Sequence, residues 1–187
     1  MNYSVLKKLC MIPSPSGYES KIIDYITSNR FKNFKVCKSK VHSCTIASKT
    51  KHKKTTLIDS HIDQVHLRII RFTENGFAVA QTIGLRSNIV YGNIVSDLSN
   101  KHKGVICTLP PHLRIEQKPE IKNIPRYYVD FGMTKKQMEK EFNIGDPLVY
   151  NLHYTPLKNG SICSTGLDNK ASAVSYTHLT LPTTPYV

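Results

Sequence analysis

The sequence predicts an α/β domain interrupted by a smaller, β-rich one. Three observations carry this. Val5, Leu6, Leu9 and Cys10, then Ile22, Ile23 and Ile26, recur at helical spacing near the start. After Val65 the texture changes to short strand-like segments separated by Gly, Asn and Pro. A helix-forming stretch, Ala171–Val174, returns only after that run. The β-rich domain is therefore placed at 68–162, inside a host made of 1–67 and 163–174.

Taken in order, residues 2–12 read as a helix closed by Pro13, followed by the turn Pro13–Gly17. Ser16-Gly-Tyr-Glu19 has the capping-box form, in which Ser16 accepts the N3 amide and Glu19 reaches back to the Ser16 amide. The second helix fades at Ser28-Asn29. Strands are expected at Phe34–Lys38 and Cys44–Ser48, then a buried strand at Thr56–Ile58. A hairpin follows from Leu67–Phe72 and Phe77–Gln81 around the turn Glu74–Gly76. Further strands are expected at Asn88–Tyr91, Asn93–Val95, Gly104–Thr108, Arg126–Phe131 and Pro147–Leu152. Among them only Lys135–Phe142 reads as a helix, with Thr134 as its N-cap. The last residues, 175–187, lack Lys, Arg, Asp and Glu and break the helix at Ala171–Val174. They resemble translated sequencing-adapter read-through and are expected to be a non-native tail.

The chain has 187 residues, 40% hydrophobic and 21% charged, enough to bury a real core. No apolar run approaches the ~18 residues of a membrane span, and the N-terminus lacks the order of a signal peptide. Five cysteines, widely spaced and without C-x-x-C, argue against a disulfide framework or zinc knuckle and for a reducing cytoplasm. The net charge of +13 invites a nucleic-acid reading. The basic residues between Arg30 and Lys54 are mostly Lys, interleaved only with Phe31 and Phe34, which makes a poor stacking platform for bases. Nucleic acid is therefore an unfavoured partner, and a membrane is not expected as one.

Two stretches carry chemistry. In Leu57–Val65, His61 and Asp63 lie two residues apart, so in extended chain they point the same way. A neutral His is the commonest metal ligand, and a neighbouring carboxylate fixes its tautomer. Alone, such a pair is more often a surface turn. The second stretch is Ser164-Thr-Gly-Leu-Asp168-Asn-Lys170, at a helix start. Asp168 alone reads as an N-cap; paired with His61 it becomes a ligand able to bridge two ions ~3.5–4 Å apart.

Six ordered segments together resemble the glutamyl aminopeptidase family of cocatalytic metallopeptidases, often labelled cellulase M or endoglucanase. They are Ser16–Glu19, His61-Ile-Asp63, Gly104–Leu113 (similar to G-V-I-G…P-P-H-L), Tyr128–Gly132, Ile144–Pro147 and Leu167–Lys170 (similar to D-[DN]-R). The resemblance implies a truncated metallopeptidase catalytic domain of the phosphorylase/hydrolase-like α/β/α type, interrupted by an inserted β-barrel or PDZ-like domain that serves homo-oligomeric assembly. It implies two divalent ions, zinc or cobalt, activating water to cleave the first bond of peptide substrates. By position His61 would bind one metal, Asp168 would bridge both, and Asp63 would take the catalytic position that orients His61. His112 reads as structural within the insert.

Two departures stand out. The family usually has H-x-D-E-x-G, whereas this chain has Gln64 and His66, the latter read as a bystander; Lys170 replaces an Arg. The family's general-base Glu, the ligand Glu beside it, a further Asp and a final His lie beyond the D-[DN]-R motif. The fragment is therefore expected to be inactive. The alternatives are a divergent non-catalytic assembly or interaction protein of the same fold and, less favoured, a basic nucleic-acid binder. A glycosidase reading lacks its two carboxylates flanking the scissile bond.

Overall fold

A computed structural model describes residues 3–28, 34–50, 54–85, 90–108 and 126–179. The chain forms two compact units, one of Met1–Gln64 with Leu152–Val187 and one of Val65–Asn151. In chain order the elements are α1 (Tyr3–Cys10), α2 (Ser20–Ser28), β1 (Phe34–Lys38), β2 (Cys44–Ser48), β3 (His66–Phe72), β4 (Ala78–Ile83), β5 (Ile94–Ser96) and β6 (Lys103–Cys107). There follow β7 (Arg126–Asp130), α3 (Lys135–Glu141), β8 (Pro147–Tyr150), β9 (Tyr154–Pro156), β10 (Ile162–Ser164) and α4 (Leu167–Leu179).

The 65–151 unit is a closed antiparallel barrel in the order β3-β4-β7-β6-β5-β8. Period-2 alternation builds it: Leu67, Ile69, Ala78, Ala80, Val95, Ile106, Tyr127, Val129 and Leu148 all point inward and are buried. Small residues face large ones across the strands, Ala80 against Tyr127 and Ala78 against Val129, which lets the lumen fill with side chains. Phe131 and Phe142 belong to this core, their rings tilted with centroids 4.7 Å apart, together with Met138 of α3. α3 starts at Thr134 with a complete capping box: Gln137 N donates to Thr134 Oγ1, and Thr134 N donates to Gln137 Oε1 at 2.9 Å. Replacing Thr134 by Ala should cost about 1 kcal/mol in urea unfolding of the barrel.

In the other unit, the apolar stripes of α1 and α2 meet Val174 of α4 in a core of Leu6, Leu9, Cys10, Ile22, Ile23 and Ile26. Ile46, Ile62 and Ile162 pack against it. Its described strands form two hairpins, β1–β2 and β9–β10.

Several expectations are corrected here. Thr56–Ile58 is not a buried strand: Leu57 is 85% and Ile58 49% exposed, and no described strand pairs with them. An apolar run becomes a strand only with a hydrogen-bonded neighbour, and these residues have none among the described residues. The expected α/β class holds in its coarse form, the described residues outside the barrel forming helices and two hairpins. Ser16 does not cap α2, because the chain makes a further turn, with Tyr18 N on Pro15 O, and the helix starts at Ser20. Glu19 Oε1 accepts from Gly17 N at 2.8 Å instead.

The barrel unit spans Val65–Asn151, so β9 and the first residue of β10, which the 68–162 boundaries place in the insert, fall in the helical unit. β8 is the last strand the barrel needs for closure. Val90 and Tyr91 form no strand, and the rest of Asn88–Tyr91 lies outside the described residues, as does His112. α4 continues through residue 179 and is not broken at 174.

Candidate metal centre

The turn after α1 braces the H-x-D segment. Gln64 pairs with Pro15 in an isolated parallel bridge, Gln64 N donates to Ser14 O at 2.9 Å, and Ser14 Oγ donates to Ile62 O at 2.8 Å. Ser16 Oγ donates to Asp63 Oδ2. The hydroxyl that the sequence assigns to a helix cap is thus spent on a carboxylate 47 residues away.

That carboxylate also meets His61. Asp63 Oδ1 lies 3.1 Å from Nδ1, and Asp168 Oδ1 lies 3.0 Å from Nε2, so one imidazole sits between two carboxylates. Partial desolvation favours the neutral ring. The hydrogen bond to Asp168 and the charges of Asp63 and Asp168 together outweigh it and raise the His61 pKa above its ordinary value. Asp168 does not sit as an N-cap with helical geometry following at once. Asp168 and Asn169 both have non-helical backbones, are joined by a cis peptide bond, and precede the helical turns of α4. Ser60 Oγ donates to Asn169 O at 3.0 Å, tying this turn to the H-x-D segment.

The donor chemistry fits a cation. With its proton on Nδ1 and held by Asp63, the ring directs the Nε2 lone pair at the Asp168 carboxylate. Two such lone pairs approach to 3.0 Å only with a positive centre between them, a place that a proton or a metal ion can fill. A tetrahedral ion with bonds of about 2.0–2.1 Å separates adjacent ligand atoms by roughly 3.3 Å, close to the observed spacing. Among the described residues no group of three or more His, Cys, Asp or Glu side chains is arranged to hold a metal. His61 and Asp168 could therefore supply two ligands, with Asp63 orienting the ring.

Sequence reasoning missed what lies beneath. Gln64 and Lys170 were noted separately as departures from a pattern; in the fold they touch. Lys170 Nζ donates to Gln64 Oε1 at 2.8 Å and to Ile12 O at 3.0 Å. Lys170 is 0% and Gln64 7% exposed. Gly166, at φ 69°, makes room: a Cβ there would lie 3.2 Å from the Lys170 ammonium and 3.3 Å from Gln64 Oε1. Desolvation pushes the Lys170 pKa from 10.5 down to about 8, against the opposing pull of Cys10 and Asp63. The available signal was positional, since Gln64 follows Asp63 directly and Lys170 follows Asp168 by two. His66 is the first residue of β3 and is fully buried in the barrel unit.

Solved structures share this fold. An aminopeptidase from the archaeon Desulfurococcus kamchatkensis matches with a TM-score of 0.77 at 22% identity, over 95% of this chain and 50% of that one. The TET1 peptidase of Pyrococcus horikoshii, described as assembling into a tetrahedron or a large octahedral shell, gives 0.77 at 23% identity over 94% and 54%. An endoglucanase from Thermotoga maritima gives 0.68 at 22% identity over 94% and 53%. The chain thus spans about half the length of the structures it matches. The sequence profile of M42 glutamyl aminopeptidases matches residues 43–180, a stretch that holds His61, Asp63 and Asp168. The chain belongs to the M42 glutamyl aminopeptidase family.

Proposed function

We propose that His61, Asp63 and Asp168 are part of the centre of a metal-dependent aminopeptidase that removes N-terminal residues from peptides. The observation that carries this reading is the imidazole held between two carboxylates, Nδ1 on Asp63 and Nε2 on Asp168. Asp63 accepts the Nδ1 proton and fixes the tautomer, which leaves Nε2 as a ligand atom. Asp168 offers a carboxylate with two oxygens, able to bridge. A pair of divalent ions, zinc or cobalt, would supply the Lewis acidity that makes water a nucleophile near neutral pH. A ligating Nε2 must be free of its proton, so metal binding competes with protonation and weakens as the pH falls through the raised His61 pKa.

Two ligands from the described residues hold an ion weakly and supply no general base. The 187-residue chain is accordingly proposed to bind zinc or cobalt without turning over substrate. The test is zinc titration by calorimetry, with hydrolysis of aminoacyl chromogenic substrates assayed in parallel. Zinc binding is expected to drop at least about tenfold in His61→Ala and in Asp168→Asn. Equal affinity in all three proteins would remove the metal reading, and turnover above a metal blank would remove the claim of inactivity.

The barrel is proposed to serve homo-oligomeric assembly, supported by the assemblies named for the Pyrococcus horikoshii peptidase. No helix among the described residues is long and apolar enough to cross a membrane. Cysteines 10, 37, 44, 107 and 163 are all free thiols, which supports the proposal of a reducing cytoplasmic setting.

A further inference from the structure

The Asp168 side chain is 94% exposed, on a non-helical residue, yet its Oδ1 lies 3.0 Å from His61. An exposed carboxylate has free rotamers, so this approach depends on where the backbone at 168 is held. Two ties hold it. One is the Ser60 hydroxyl on Asn169 O. The other is deeper: from the first helical turn of α4 the Lys170 side chain runs through buried space to Gln64 Oε1 and Ile12 O. Gln64 is adjacent to Asp63, and Ile12 closes the segment after α1. One ammonium therefore joins the three pieces of chain that converge on His61. Gly166 leaves the gap through which it passes.

We propose that Gln64 and Lys170 form a latch that positions Asp168 against His61, with Lys170 as a positioning residue rather than a ligand. Stability alone does not account for the pair. An ammonium buried against neutral acceptors loses its hydration, and well-packed apolar replacements of such groups are often neutral or stabilising. What the ammonium adds is direction: two charge-assisted hydrogen bonds fix the turn 166–170 against residue 64 with a geometry an apolar contact does not impose. The two departures from the family's usual pattern at positions 64 and 170 are on this reading one contact, accommodated together. The use of the latch for metal binding rests on the reading of His61 and Asp168 as ligands; the positioning of Asp168 against His61 does not.

The experiment uses the metal-free 187-residue chain, 15N-labelled, at one fixed pH. The His61 ring resonances are assigned by their loss in His61→Ala. They are compared in wild type, Gln64→Met, Lys170→Met, the double variant and Asp168→Asn. Both single variants should move the His61 ring signals toward their position in Asp168→Asn while backbone spectra stay folded. The double variant should move them no further than Lys170→Met does. Zinc affinity should fall about tenfold in the same variants. Unchanged ring signals in a folded single variant would overturn the latch, and shifts that simply add in the double variant would overturn the pairing. Should Lys170→Met fail to fold, Gln64→Met, which keeps the Ile12 contact, decides alone. Ring shifts without any zinc binding in wild type would keep the latch and dismiss the metal reading.

Discussion

Between pH 8 and pH 10.5 the unfolding free energy of the wild-type chain should rise by roughly 3 kcal/mol more than that of Lys170→Met. In the unfolded chain Lys170 titrates near 10.5, whereas in the fold desolvation brings it to about 8. Below the lower value both states carry the proton, and the native state bears the full cost of a buried cation. Between the two values the unfolded state holds one proton more than the folded state, so stability climbs with pH. Above the upper value neither state is charged and the cost is gone. Lys170→Met removes the titrating group and should flatten this part of the profile. At pH 7 the variant should differ little from wild type. The relieved desolvation is offset by two buried acceptors, Gln64 Oε1 and Ile12 O, losing their donor at about 1–3 kcal/mol each. Urea unfolding at several pH values, read as the difference between the proteins, checks this, and parallel profiles would refute it.

Gly76→Ala should destabilise the barrel by at least about 3 kcal/mol. Gly76 sits in the turn joining β3 to β4, at φ 84°, where its N donates to Thr73 O at 3.1 Å. Thr73 N in turn donates to Phe77 O at 2.9 Å, and Phe77 N to Thr73 Oγ1 at 3.0 Å. A methyl group at 76 would fall 1.9 Å from Met133 O and 3.0 Å from Met133 C. Those are backbone atoms, so no rotamer change relieves the clash. Either the turn abandons its hydrogen bonds, or residues 133–134 move and carry the capped start of α3 with them. The left-handed backbone adds about 1–2 kcal/mol for any residue with a Cβ. Thermal unfolding should show a Tm lowered by ten degrees or more, roughly. A change of only a degree or two would mean that the turn yields freely.

The barrel was largely legible because its strands are short apolar runs bounded by turn residues, several of them alternating within their own few residues. Leu67, Ile69, Ala78 and Ala80 announce an inward face without reference to any partner. β1 and β2 were legible in the same way. Thr56–Ile58 misled because composition reports a preference for extended chain, while a strand needs a neighbour that local sequence does not contain. β9 and β10, three residues each, are too short to alternate visibly. In the candidate centre, His61, Asp63 and Asp168 were readable as residue types in ordered motifs. Their supports were not. Ser16 donating to Asp63 overrides a local capping pattern, and Lys170 reaching Ile12 spans 158 positions. Such contacts exist only after the chain has folded back on itself.

The pairing of His66 with Val149 at the β3–β8 seam has a consequence for how the other unit can be assembled at all. Residues 64 and 152 are separated by the whole barrel in sequence, and closing a flexible loop of that length costs on the order of 4 kcal/mol in chain entropy. Because the first and last strands of the barrel are hydrogen-bonded neighbours, the barrel's own folding brings its two exits side by side. A folded barrel is then a short tether between two halves of a discontinuous unit. With the barrel closed, the segments bearing His61 and Asp168 are joined at a lower entropic cost than through an open loop of the same length.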